Sequence, residues 1–179
     1  MEFDLASRET IFESLAPGGV GAEIGVAWGE FATAIFQRAK PKAFYLVDCW
    51  EEQSVESYGH DPANTDQMPK YRQCLKQFLS EPKIKVVKAF SLDASPVFPN
   101  DFFDWLYIDA NHLECHADMQ AWWPKVKLGG YMMGHDYVMG GVGDFITVQA
   151  DVDRFVAKRG LELILSEDEV YKNWIIQKV

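Results

Sequence analysis

The sequence has 179 residues, 48% of them hydrophobic and 25% charged, which is the composition of a globular protein with one sizeable core. Its net charge of −10 argues against non-specific binding to nucleic acid, which needs clustered lysine and arginine. No apolar run reaches membrane-spanning length, and the first residues lack the apolar core of a signal peptide, so we expect a cytoplasmic protein without a membrane partner. The three cysteines are widely spaced and form no CxxC pair, which argues against a disulfide framework or a zinc site.

The first part of the chain alternates between helical and strand patterns. Residues 5–15 predict an amphipathic helix that either packs on the edge of a sheet or closes over a cofactor. Residues 20–26 predict a first strand, residues 29–40 a helix, and residues 43–48 a second, continuously apolar strand. This alternation is typical of an open, mostly parallel α/β sheet.

Residues 50–68 break the alternation with a long polar stretch, which carries Trp50, Tyr58, His60, Asp61 and Asn64. Loops of this length inside a compact domain are usually functional or disordered. Because the stretch leaves the sheet at the end of the second strand, we expect either a lid or acceptor-binding loop or a solvated excursion.

The rest of the chain resumes the alternation. Helices are predicted over residues 69–79, 113–126 and 147–160, and strands over residues 83–90, 101–109, 131–135, 161–165 and 171–179. Thr147 is the expected cap of the last helix, and Gly129 and Gly130 are expected to form the turn into the fifth strand. Of Trp122 and Trp123, only one can face fully inward. The short connection between the last two strands predicts antiparallel pairing.

The chain is organised around the turn after the first strand, which reads Glu23-x-Gly25-x-x-x-Gly29. Gly25 allows a sharp turn and a close approach to a ligand, while Gly29 lets the helix begin tight against the strand. The spacing differs from the G-x-G-x-x-G of dinucleotide sites. Glu23 would accept hydrogen bonds from an ammonium group, and Asp48 at the end of the second strand would accept both hydroxyls of a ribose. S-adenosylmethionine (SAM), an adenosine with a free amino-acid tail, would fit both carboxylates.

These residues resemble motifs I and II of the class I SAM-dependent methyltransferases. The stretches FDWLYIDANH, from Phe103, and WWPKVKLGGYMMGHDY, from Trp122, are similar to a small single-domain subfamily, methyltransferase domain 24-like, whose pattern reads IDGDH, WWPxLxPGG and GHDY. The resemblance covers residues 20–179. It implies an α/β fold, a three-layer Rossmann-like sandwich with a seven-stranded, mostly parallel sheet and an antiparallel last strand, in one domain over residues 1–179.

The resemblance also implies the residues that bind SAM. They are Glu23, Gly25, Ala27, Gly29, Asp48, Phe90, Ser91 and Asp109. In this fold the position of Phe90 and Ser91, after the third strand, borders the adenine. The alternative for these two residues is a core phenylalanine and a helix-capping serine.

Two interpretations remain open for the polar residues that follow the fourth and fifth strands, Asp109, His112, His135 and Asp136. In the first, Asp109 and Asp136 hold Mg²⁺, with Asn111 or His135 completing the ligand shell. In the second, His112 or His135 is a general base, Asp136 is its neighbour, and Asp109 contacts the methionine end of SAM. Asn111 replaces a carboxylate of the family's D-G-D turn, which weakens the metal site. Since neighbours on a strand point to opposite faces, only one of His135 and Asp136 is expected to face the pocket.

The sequence therefore predicts a methyltransferase that uses SAM, with Mg²⁺ as a possible second cofactor, and O-methylates a small hydroxylated acceptor such as a sugar or a natural product. Two alternatives are an NAD(P)-dependent oxidoreductase on a Rossmann-like fold and a catalytically inactive SAM-binding protein. The expected partners are a small-molecule acceptor and a second copy of the chain in a homodimer.

Overall fold

The computed structural model describes residues 3–54, 64–138, 147–167 and 170–179. Its strands are β1 (Val20–Ile24), β2 (Ala43–Asp48), β3 (Ile84–Lys88), β4 (Phe103–Ile108), β5 (Val126–Tyr137), β6 (Ile164–Leu165) and β7 (Lys172–Gln177). They form a seven-stranded sheet in the order β3-β2-β1-β4-β5-β7-β6. Neighbouring strands are parallel except where β7 pairs with β5 and β6. The predicted sheet and its antiparallel last strand are confirmed.

Helices cover both faces of the sheet. They are α1 (Glu30–Ala39), α2 (Gln67–Phe78), α3 (Ser91–Ala94), α4 (Cys115–Trp122) and α5 (Val148–Arg159), with 3-10 helices at Thr10–Ser14, Ser95–Val97 and Trp123–Lys125. The first 3-10 helix, α1 and α2 pack into the apolar core on one face, and α3, α4 and α5 pack on the other. The three-layer sandwich is therefore confirmed, and Trp122 is buried whereas Trp123 is only partly so. None of the helices in the described ranges is both long and apolar enough to cross a membrane.

The N-terminal segment differs from its prediction. The expected helix over residues 5–15 is wrong, because only the 3-10 helix Thr10–Ser14 forms. Short polar side chains hold the preceding backbone instead: Asp4 accepts from the Ala6 N–H, and the Ser7 hydroxyl accepts from the N–H groups of Glu9 and Thr10. The bonds that Ser7 accepts are those of a helix N-cap, so helical structure begins only after Ser7, as a turn followed by the 3-10 helix.

The boundary between α4 and β5 also differs from its prediction. The helix ends at Trp122, and β5 begins at Val126 and continues through Gly129 and Gly130, which were expected to form a turn. The register of β5 on β4 shifts between the pairs Phe103–Val126 and Trp105–Tyr131, so both glycines lie in an irregular part of the strand. The two glycines, which would be typical of a turn, are therefore extra residues of a β-bulge within the strand.

The long stretch after β2 is anchored at both of its described ends. Trp50 is fully buried, and its indole N–H donates to the Ala27 carbonyl at 2.9 Å. The side chain of Asn64 bonds the backbone of Gln53 in both directions, at 2.8 and 2.6 Å. Tyr58, His60 and Asp61 lie outside the described residues, so the lid or acceptor loop over residues 50–68 stays a prediction.

Candidate active site

A pocket of about 810 Å³ opens at the carboxyl ends of β1, β2, β4 and β5, a volume that suits a small-molecule ligand. It lies at the switch in strand order, where β1 and β4 are neighbours and their following connections diverge. Of the residues predicted from the sequence, the pocket is lined by Glu23, Gly25, Ala27, Asp48, Phe90, Ser91, Asp109, His112, His135 and Asp136. Gly29 is not among the lining residues.

The two glycines form the sharp turn expected between β1 and α1, and each also allows a close contact within the protein. Gly25 has φ +90°, and a Cβ built there would lie 2.0 Å from the carbonyl oxygen of Asp109. Its lack of a side chain thus permits close contact with the end of β4, and its place in the pocket wall leaves the expected approach to a ligand a prediction. Gly29 precedes α1 with φ +80°, and a Cβ there would meet the Phe78 ring of α2 at 3.1 Å.

The Asp48 side chain stabilises the backbone of the turn that follows β1. One of its carboxylate oxygens accepts from the N–H groups of Val26 and Ala27 at 2.8 and 2.9 Å, and the other accepts from the Trp50 N–H at 2.7 Å. These bonds stabilise the left-handed backbone of Ala27, which has φ +50°. A carboxylate offers about four acceptor positions, so after these three bonds Asp48 keeps one position for a ribose hydroxyl.

Glu23 is a carboxyl group buried at the floor of the pocket. Its residue is 1% exposed, and its Oε2 atom has no hydrogen-bond partner in the described part of the chain. Burial, reinforced by the negative charge of Asp109, raises the pKa of Glu23 well above its ordinary value, and the charge of Arg8 opposes this shift. A ligand that brings a cationic donor would satisfy this oxygen and favour its ionised form.

Arg8 is a pocket residue that sequence reasoning missed. Its Nε donates to the Tyr107 hydroxyl at 2.9 Å, its Nη2 donates to Asp109 in an ion pair, and its guanidinium lies 3.8 Å from the centre of the Phe31 ring. Burial alone would lower the pKa of Arg8, but the charges of Asp109 and Tyr107 outweigh burial and raise it. No sequence signal marks Arg8, because its partners lie about one hundred positions away in the chain.

Two histidines converge on one carboxylate at the ends of β4 and β5. His112 Nε2 lies 2.8 Å from one oxygen of Asp136, and His135 Nδ1 lies 3.3 Å from the other. Burial would raise the pKa of Asp136, but the hydrogen bonds and charges of the two histidines outweigh it and hold that pKa far below its usual range. Asp136 is therefore ionised at neutral pH.

The expectation that only one of His135 and Asp136 faces the pocket is wrong, because both line it. Asp136 has φ +57°, and the pairing of β5 with β7 loses register between Gly134 and Tyr137. This bulge rotates the backbone, so the strict alternation of side chains no longer holds.

The carboxylates of Asp109 and Asp136 and the ring of His112 offer three ligand atoms within 4.8 Å of one another. Carboxylate donors suit Mg²⁺, whereas an imidazole donor suits transition metals such as Zn²⁺, so this donor set could ligate a divalent cation but does not single out Mg²⁺. His112 takes the place in this set that the sequence assigned to Asn111 or His135.

The Asn111 side chain instead accepts a hydrogen bond from the Leu113 N–H at 3.0 Å. The hydroxyl of Thr147, the expected helix cap, donates to the His112 carbonyl at 2.9 Å.

Beside the third strand, Ser91 joins the pocket to the core. Its hydroxyl donates to Asp118 at 2.5 Å and accepts from the indole N–H of Trp122 at 2.9 Å. Asp118 also lines the pocket and was missed from the sequence, because a single aspartate on a predicted helix carries no signal of its own. Burial raises the pKa of Asp118 to about 7, against the opposing hydrogen bond from Ser91. Phe90 is 42% exposed at the pocket rim, so it is not a core residue.

Comparisons with known proteins identify the family and support the fold. A family model described as a methyltransferase domain matches residues 22–137. A search of curated proteins gives no match to the chain.

Three solved structures illustrate the fold. A protein from Corynebacterium glutamicum is 14% identical, with a TM-score of 0.67 over 96% of this chain and 78% of that one. Fibrillarin from Aeropyrum pernix with natively bound SAM is also 14% identical, with a TM-score of 0.63 over 89% and 66%. A putative caffeoyl-CoA O-methyltransferase from Staphylococcus aureus is 14% identical, with a TM-score of 0.62 over 88% and 75%. At such identities the likeness shows the fold alone.

Proposed function

The chain belongs to the methyltransferase domain family, and on this premise we propose that it transfers a methyl group from SAM to a hydroxyl oxygen of a small acceptor. A sugar or a natural-product-like molecule is the acceptor class we favour. The observation that carries the proposal is the pair formed by His112 and Asp136 at 2.8 Å, in the same pocket as Glu23 and Asp48. Family membership favours methyl transfer over the oxidoreductase alternative.

The proposed binding mode assigns each part of SAM to one wall of the pocket. Glu23 takes the ammonium group, since its buried Oε2 needs a donor. Asp48 takes a ribose hydroxyl, and Ser91 and Phe90 border the adenine. SAM bound in this way would have its sulfonium near the ends of β4 and β5, where Asp109 and the two histidines lie. Fibrillarin, solved with natively bound SAM on a similar fold, supports SAM as the ligand.

The chemistry is an in-line substitution in which the methyl carbon leaves the sulfonium sulfur as the acceptor oxygen attacks. The C–S bond electrons return to sulfur, giving S-adenosylhomocysteine (SAH), and the acceptor becomes a methyl ether. His112 accepts the hydroxyl proton as general base, while Asp136 orients the imidazole and stabilises the imidazolium that forms. His135 contacts the same carboxylate at the longer distance of 3.3 Å, so His112 is the preferred base.

A metal-assisted variant of the same reaction rests on the donor set of Asp109, His112 and Asp136. These three residues would hold a divalent cation, which would supply Lewis-acid activation of the acceptor hydroxyl when bound. In that variant His112 is a ligand rather than a base, and activity would require the added cation.

The test is turnover against a panel of hydroxylated acceptors, with and without chelator, for the wild-type protein and for His112→Gln. As a general base, His112 contributes about 10²- to 10⁴-fold to kcat/KM, and the variant should lose that much while its Kd for SAH changes little. His116→Gln is the matched control, since His116 lies on α4 beside Asp151 and does not line the pocket.

Other outcomes of these binding and turnover measurements would favour one of the alternative functions. SAH binding without turnover on any acceptor would favour the inactive SAM-binding protein, and binding of NAD(P) but not SAH would favour the oxidoreductase. Loss of turnover with chelator, restored by Mg²⁺, would favour the metal-assisted variant.

A further inference from the structure

We propose that Arg8 binds the α-carboxylate of the cofactor's amino-acid tail while Glu23 binds the ammonium group beside it. The inference rests on the proposed function, because it assumes that the ligand is SAM. Arg8 lies before residue 22, where the match to the methyltransferase family begins, so a residue outside the matched part would complete the cofactor site.

The charge of the pocket is the first reason. Nine of the described residues that line the pocket carry carboxyl groups. In contrast, the same lining contains one arginine, Arg8, and one lysine, Lys70. The ammonium and sulfonium groups of SAM suit such a pocket, but its carboxylate would be repelled unless a cation met it. Lys70 lies on α2 over the ring of Trp28, whereas Arg8 contacts Asp109 and interacts electrostatically with Glu23.

The orientation of Arg8 is the second reason. Its Nε and Nη2 are held by Tyr107 and Asp109, and its planar face lies on the Phe31 ring. Tyr107 is itself fixed, since its hydroxyl donates to Asn173 at 2.8 Å. The remaining nitrogen, Nη1, makes no hydrogen bond to a described residue, and the side chain keeps 30% of its surface exposed. An arginine restrained in this way presents a pre-organised donor to a carboxylate.

The unsatisfied oxygen of Glu23 is the third and independent reason. Burying a carboxyl oxygen without a partner costs free energy, and a zwitterionic ligand would supply the missing donor. Arg8 and Glu23 then form a matched pair of opposite charges, which is complementary to the two charged groups on the α-carbon of the cofactor.

A purely structural role for Arg8 is the competing explanation, and Arg38 provides the control for it. Arg38, on α1, pairs with Glu9 and Glu13 and so fastens the same N-terminal segment, but it does not line the pocket. A variant of Arg38 should loosen the segment without removing the proposed carboxylate contact.

The experiment is calorimetric titration with two probes, SAH and its decarboxylated analogue, in which hydrogen replaces the carboxylate and the amine is kept. The wild-type protein should bind SAH at least about ten-fold more tightly, the gain expected from a charge-assisted hydrogen bond. Arg8→Met should bind the two probes within about two-fold of each other, and Arg8→Lys should keep part of the preference. Arg38→Met should keep the full preference, even if both affinities fall.

The inference is overturned if the wild-type protein does not distinguish the two probes, or if Arg8→Met retains the wild-type preference. It is also overturned if Arg38→Met loses the preference as Arg8→Met does, since the segment as a whole would then be responsible. If neither probe binds the wild-type protein, the proposed function fails first, and the role of Arg8 fails with it.

Discussion

Three acidic residues in the pocket show how burial and partners set the state of the same chemical group. Glu23 and Asp118 are buried, and burial raises the pKa of each. Asp136 is also buried, but hydrogen bonds from two histidines lower its pKa. Environments that separate the pKa values of neighbouring acids are typical of sites that bind or react. The residue type was visible in the sequence, whereas the environment depends on residues from other elements.

Asp118 gives a prediction for pH dependence. Its pKa is about 7 in the folded protein and near 3.8 when unfolded, so the unfolded state releases this proton first as the pH rises. The free energy of unfolding should therefore fall between about pH 4 and pH 7, by about 4 kcal/mol from this group. Asp118→Asn should remove that fall, because it cannot ionise and still accepts from Ser91. Urea denaturation across this range measures the difference, and a wild-type-minus-variant difference that does not change with pH would contradict the assignment.

At the scale of the element, backbone irregularities rather than regular strands place the site. The turn of Gly25 lies against the end of β4, and the bulge at Asp136 brings two successive side chains of β5 into the pocket. The sequence predicted both strands and the glycine turn, because apolar periodicity and glycine spacing are local signals. It did not predict the bulge, since a left-handed aspartate has no pattern of its own. The predicted N-terminal helix over residues 5–15 was too long, because Ser7 acts as an N-cap and only the short 3-10 helix follows it.

Gly25→Ala should destabilise the protein by about 3 kcal/mol or more, because a Cβ would overlap the Asp109 backbone at 2.0 Å as well as strain a backbone of φ +90°. Gly18→Ala is the matched control, since Gly18 has φ +83° but open space around its Cα. It should cost only about 1 kcal/mol. Chemical denaturation measures both, and equal losses would show that the contact with Asp109 is unimportant.

At the scale of the whole molecule, the strand order creates the pocket. The order β3-β2-β1-β4-β5-β7-β6 places β1 and β4 side by side, so their loops diverge and leave a crevice above their carboxyl ends. Residues from the N-terminal segment, β1, β2, β4, α4 and β5 meet there. A ligand that joins these elements should stabilise the fold as a unit. A homodimer stays a prediction, which light scattering of the purified protein would test.

SAH should raise the melting temperature of the protein, because binding to the folded state alone adds about 2.7 kcal/mol at a concentration one hundred times Kd. For a chain of 179 residues this corresponds to an increase of about 5–10 °C. NAD⁺ is the control and should leave the melting temperature unchanged. Differential scanning fluorimetry gives the answer, and stabilisation by NAD⁺ without stabilisation by SAH would reverse the proposed cofactor.

The sequence by itself determined the alternation of strands and helices, the glycine turn, and the carboxylates Glu23, Asp48, Asp109 and Asp136 that follow or end apolar runs. These features are local, because strand ends and turns depend on residues close together in the chain. Only the tertiary structure decided that Arg8 and Asp118 belong to the same pocket, that Gly29 lies outside it, and that His112 rather than Asn111 joins Asp109 and Asp136. Those relations join residues far apart in sequence, and the burial and charge that one side chain imposes on another exist only once the sheet has brought them together.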